Sequence, residues 1–169
     1  MRVFILIATL LLSSCSSTNT EKVIQDDLVG TWELLYNDQG SYWFSHIGFT
    51  KEGQKCSIRY QFNNNKDIEV DYFLSDFSLV RGDIILTVQE STSAFVERNQ
   101  VIKDRLITHS SASFTQQMFY PIAGDSVDTF VKLNTVKPES ICKVVKNQFN
   151  TPMESTLTSP QAINKKHVK

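Results

Sequence analysis

The sequence predicts an all-β domain built mainly of antiparallel hairpins, closed as a small barrel or stacked as a sandwich. Two observations carry this. Between the two ends of the chain, apolar residues recur with period two rather than 3.6. Clusters of Gly, Asn and Asp separate the runs at short intervals.

Taken from the start, Met1-Arg2 is a short positive region and Val3 to Leu12 is wholly apolar apart from Thr9. Ten such residues suit a signal peptide and fall short of the roughly 20 that a spanning helix needs. Ser13 and Ser14 are small, and Cys15 follows. Leu12-Ser13-Ser14-Cys15 resembles the bacterial lipobox. The resemblance implies cleavage before Cys15, lipid on its thiol and acylation of the new amino group, enough buried acyl chain for stable anchoring. In Gram-negative lipoproteins an Asp after the Cys retains the protein at the inner membrane. Ser16 stands there, so the expected site is the outer membrane, facing the periplasm. Residues 1–14 are thus a signal peptide, and residues 15–25, polar and rich in Ser and Thr, a lipidated flexible tether.

Without Arg2, 16 Lys and Arg face 18 Asp and Glu, a net charge of −2 with His neutral. That balance offers no basic stripe for nucleic acid. The remaining 155 residues fit one domain with a proper core. Glu21 to Leu28 reads as a short helix. Residues 26–146 hold the strands. Trp32, Leu34 and Tyr36 alternate with Glu33 and Leu35. Ile58, Tyr60 and Phe62 form a second set, and Ile68, Val70 and Tyr72 a third. Ile84, Leu86 and Val88 follow, then Phe114, Gln116 and Met118. Turns are expected at Asn37-Asp38-Gln39-Gly40, Lys51-Glu52-Gly53, 63–67, Arg81-Gly82-Asp83 and Ala123-Gly124-Asp125. Ala94 to Asp104 shows no clear period and reads as a loop entering a strand near Ile102. Residues 147–169 carry Pro152 and Pro160, close on Lys165-Lys166-His167-Val168-Lys169, and read as a disordered tail.

Leu28-Val29-Gly30-Thr31-Trp32 resembles the opening of lipocalin-like bacterial domains, where Gly-x-Trp starts the first strand. Phe49-Thr50-Lys51-Glu52-Gly53 and Phe77 to Leu86, with Gly82-Asp83 between its strands, are similar to the hairpins that follow there. The resemblance covers Leu28 to Leu133. It implies a small antiparallel up-and-down barrel with Trp32 closing one end. Lipocalins place a late Arg across that Trp; here only Lys132 or Lys137 could take its place.

With Cys15 lipidated, Cys56 and Cys142 remain. In an oxidising periplasm they are expected to form a disulfide, the competing reading being two separate thiols. His46, His109 and His167 show no metal-ligand spacing, and no catalytic motif appears, so no metal, cofactor or catalytic residue is expected. Asp67, Glu69 and Asp71 share one strand face and read as a charged, exposed edge.

Two non-catalytic functions fit. A lipocalin-like barrel implies a module for a small lipophilic ligand, in an apolar cavity at its mouth lined by Tyr36, Tyr42, Phe44, Tyr60 and Tyr72. The alternative is a protein–protein module, an envelope assembly accessory, inhibitor or immunity lipoprotein, with a filled core. Tyr42-Trp43-Phe44 puts large aromatics on both faces of one strand, which makes Trp43 the candidate partner contact.

Overall fold

Eight antiparallel strands close into one barrel, each paired with its neighbours in sequence order and the last with the first. The structure is a computed structural model and describes residues 19–37, 43–62 and 67–150. Strand β1 spans Gly30–Asn37, β2 Trp43–Phe49, β3 Gln54–Phe62 and β4 Ile68–Val80. Strand β5 spans Asp83–Ser91, β6 Val101–His109, β7 Ser113–Tyr120 and β8 Asp128–Leu133. Helix α1, Asn19–Leu28, precedes the barrel, and helix α2, Pro138–Asn150, follows it. This is the up-and-down barrel that the sequence motifs imply.

The turns form where Gly permits them. Arg81 and Gly82 both hold positive φ, 55° and 83°, as a two-residue hairpin turn needs if its twist is to match the strands. Gly53, at φ 80°, turns the chain between β2 and β3.

Helix α1 closes one end of the barrel. Ile24 and Leu28, four residues apart on one helical face, pack against the core. Trp32 is fully buried beside them and donates Nε1–H to the Leu28 carbonyl at 2.8 Å. Lys132 Nζ lies 5.0 Å from the Trp32 ring centroid, so Lys132, not Lys137, supplies the expected cation. Gly30 makes this possible: a Cβ there would meet Lys132 Cε at 2.5 Å, on a backbone with φ 150°. Around Trp32, the closed end is filled by Phe49, Phe77, Phe114 and Phe130, with Leu34, Ile47, Leu79, Ile84 and Leu86. Phe114 meets Trp32 edge-on at 4.9 Å and stacks on Phe130 at 4.8 Å.

Helix α2 lies outside, across β1 to β4. Pro138 starts it, Glu139 lies in its first turn, and Ile141, Cys142, Val145 and Phe149 form its apolar face. Cys142 is bonded to Cys56, as the cysteine count suggests. Under the helix sit Ile58, Tyr60, Val70, Tyr72 and Leu74. Gly48 lets α2 come close, since a Cβ there would lie 2.8 Å from the Pro138 carbonyl oxygen.

Two boundaries move. The expected tether 15–25 overlaps α1, which begins at Asn19 because Ile24 and Leu28 gain burial only on a helical face. The expected tail 147–169 loses its first four residues to α2, because Phe149 packs on the outer cluster. The rest of that tail, residues 151–169, and the signal peptide with Cys15 lie outside the described residues. The charged-edge reading fits the first part of β4: its ladder with β5 begins only at Phe73, and Asp67 and Glu69 are exposed, while Asp71 accepts a hydrogen bond from Arg59 at 2.6 Å.

Candidate functional site

The strand registers decide which side chains face the lumen. Phe49 of the core lies opposite Lys55, and Ile84 lies opposite Asp104. Lys55 and Asp104 therefore point into the barrel, from strands on opposite sides of it. Neighbours opposite each other on adjacent strands share a face, so Ser45, Arg59, Ser75, Gln116 and Asp128 join the same inner surface.

Above the aromatic floor the lumen becomes polar. Lys55, Asp104, Gln116, Ser45 and Ser75 are all buried. Lys55 Nζ lies 3.8 Å from Asp104 Oδ2, an ion pair too long to be a hydrogen bond, and 5.6 Å from the Phe49 ring centroid. Gln116 Oε1 is buried without a hydrogen-bond partner. Burial pushes the Lys55 ammonium below its ordinary pKa, against the attraction of Asp104 and Asp128. Burial likewise pushes the Asp104 carboxyl up, against the attraction of Lys55. Desolvation outweighs the pairing on both partners, so this pair does not stabilise the fold by being a salt bridge.

The inner surface opens away from the floor. Along β7, Phe114 is 0% exposed, Gln116 7% and Met118 40%. Arg59 and Asp71 form a half-buried ion pair on β3 and β4, and the Arg59 guanidinium stacks 5.1 Å from the Phe73 ring centroid. The polar layer therefore lies between a closed apolar end and an accessible mouth.

The aromatic residues expected to line a cavity lie elsewhere. Tyr60 and Tyr72 pack on the outer face with Cys56, Ile58 and α2. Phe44, opposite Tyr60, joins them, with His46 edge-on at 4.8 Å. These three do not face the lumen, because α2 covers the outer side of β2 to β4 and takes their apolar face. Tyr42 lies outside the described residues, as do the side chains of Tyr36 and Trp43; the Tyr36 backbone pairs with Thr129 and that of Trp43 with Gln61. Sequence reasoning missed Lys55, Asp104 and Gln116. The signal is present in β3, where Lys55, Ser57 and Arg59 alternate with Cys56, Ile58 and Tyr60, but the apolar face of that strand, expected inward, lies outside under α2.

Two other features hold less chemistry. An open groove of about 540 Å³ runs between the β2–β3 turn and α2, lined among others by Thr50, Gln54, Glu139, Lys143 and Lys146. His109 Nδ1 lies 3.8 Å from Asp27 Oδ2 at the closed end, away from His46 in the outer cluster. Among the described residues no group of His, Cys, Asp and Glu could hold a metal ion.

No protein-family model matches the chain, and no curated protein matches it. Among solved structures it is similar to a lipocalin-like protein from Bacteroides uniformis ATCC 8492, at 16% identity and a TM-score of 0.43, over 63% of this chain and 99% of that one.

Proposed function

We propose that the protein is a non-catalytic binding module, anchored through lipid on Cys15 to the periplasmic face of the outer membrane, with its ligand in the barrel lumen. One observation carries the lumen reading. The inner surface passes from a sealed aromatic floor to buried Lys55, Asp104 and Gln116, and then to exposed Met118 and half-buried Arg59. A barrel needing only stability would carry apolar side chains through that middle layer, since buried polar groups without partners cost free energy. A wholly lipophilic ligand does not suit the layer; an amphiphilic one, polar end inward, does.

The test is native mass spectrometry of the mature chain after incubation with an envelope extract. The expected result is a bound small molecule, lost or weakened in Lys55→Met. A chain that stays empty across extracts sinks the reading.

A second reading rests on the outer face. Phe62 and Ile68, 48% and 56% exposed, extend the Phe44–Tyr60–Tyr72 cluster beyond α2. An envelope protein could dock there, and Phe62→Ser would then abolish its capture.

A further inference from the structure

The polar layer also indicates what kind of group it receives, an inference that rests on the lumen reading above. Lys55 brings three N–H donors, and no hydrogen bond of 3.5 Å or less engages them. On the same inner surface are acceptors: the Asp104 carboxylate, 3.8 Å from Lys55, the unpartnered Gln116 Oε1, and Asp128, whose charge acts on Lys55 and which lies opposite Gln116 across β7 and β8. Asp128 already accepts from Ser126 Oγ at 3.1 Å. In the middle layer the unfilled requirements are thus one acceptor for Lys55 and donors for Gln116 and Asp104; nearer the rim, Arg59 Nε is a further buried donor without a partner.

Three common polar groups can be weighed against that pattern. A carboxylate would serve Lys55 but bring a second negative charge against Asp104 and Asp128, and it would leave Gln116 Oε1 unpaired. An ammonium would serve Asp104 and Gln116 but would meet Lys55 charge to charge. A hydroxyl is both donor and acceptor, so it accepts from Lys55 and donates to Gln116 or Asp104 with no charge brought in. Two adjacent hydroxyls meet all three requirements at once.

We propose that the lumen binds a vicinal diol, from a sugar, a polyol or the glycerol headgroup of a neutral lipid, through Lys55, Asp104 and Gln116, and discriminates against carboxylates. The diol lies beneath the rim formed by exposed Met118 and half-buried Arg59, and any acyl chain runs outward through the mouth. Inserting such a group replaces an orphaned acceptor and a long ion pair with short hydrogen bonds, and that is where the selectivity arises.

The test uses the mature chain made without lipid by Cys15→Ser, titrated calorimetrically with glycerol monolaurate, lauric acid and glucose. The expected result is glycerol monolaurate bound at least tenfold more tightly than lauric acid, the two sharing one acyl chain length. Gln116→Leu should lose about tenfold toward the diol-bearing probe while its affinity for lauric acid does not fall. Lys55→Met should lose at least as much toward the diol, and Gln89→Leu, whose amide bonds Asp76 on the outer face, should lose nothing. Comparable binding of glucose identifies a free sugar as the source; binding of the monolaurate alone identifies a lipid headgroup. Lauric acid binding as tightly as its glycerol ester overturns the diol assignment, and so does a Gln116→Leu chain of unchanged affinity. If none of the probes binds, the diol assignment falls. The extract experiment then separates the two failures: a retained ligand without hydroxyls preserves the lumen reading, and an empty barrel removes both.

Discussion

Replacing Lys55 by Met and Asp104 by Val in the same chain should make the protein more stable. Both side chains are buried, and their closest atoms stand 3.8 Å apart, so the pair has Coulomb attraction without a direct hydrogen bond. Desolvation is the largest influence on each partner, lowering the pKa of Lys55 and raising that of Asp104. Exchanging such a pair for apolar side chains of similar volume stabilises a protein by about 1–4 kcal/mol. At about 4 °C per kcal/mol for a domain of this size, the midpoint should rise by roughly 4–16 °C. The single change Asp104→Val should act oppositely. It strands the Lys55 ammonium in the lumen and should cost about 3–5 kcal/mol. Thermal and urea unfolding followed by circular dichroism at pH 7 measure all three chains. A double variant less stable than wild type would refute the reasoning. The pair would then be part of what holds the barrel together, and lumen polarity would need no ligand to explain it.

Three further outcomes follow from the same structure. In Lys55→Met, Asp104 keeps its desolvation and loses its cation, so its folded pKa stays above the ordinary 3.8. Its contribution is then fully present below about pH 4 and is lost as the pH rises through the folded value, so urea midpoints should fall with pH more steeply than in wild type. Cys56→Ala with Cys142→Ala opens a loop spanning 86 residues and should cost about 4–5 kcal/mol in the chain-entropy account, read as a lower urea midpoint; a change below 1 kcal/mol would show that burial of Val145 and Phe149 alone holds α2 in place. Gly30→Ala should cost at least about 1–3 kcal/mol, because it puts a Cβ on Lys132 and a side chain on a φ of 150°, and tryptophan fluorescence should report the displaced cation over Trp32.

The alternation of apolar and polar residues identified strands in β1, β3 to β5 and β7, and the Gly-containing turns lie where the local residues allow positive φ. Period two does not say which of two faces is inside. In β3 the apolar face, Cys56, Ile58 and Tyr60, is outside because α2 covers it, and the polar face is inside. That inversion depends on an element some 80 residues later in the chain. Helix α2 itself carries a readable signal, Pro138-Glu139 followed by Ile141, Cys142, Val145 and Phe149 at helical spacing, but it straddles the expected boundary at 146, with Pro138 to Lys146 falling in the strand domain and its last four residues in the tail. The disulfide was legible by counting cysteines; the Lys55–Asp104 pair was not, since it joins β3 to β6 across the barrel with no local pattern linking them.

Helix α1 bears on how the domain would stand at a membrane. It packs on the closed end of the barrel and begins at Asn19, four residues past Cys15. Four extended residues reach at most about 14 Å. A lipid on Cys15 would therefore hold the sealed end down, close to the bilayer surface, with the mouth turned toward the aqueous compartment. Held this way, the protein would not draw cargo upward from its own leaflet. It would take what diffuses to it from the aqueous side, and its orientation would be set by a plug helix rather than by the barrel.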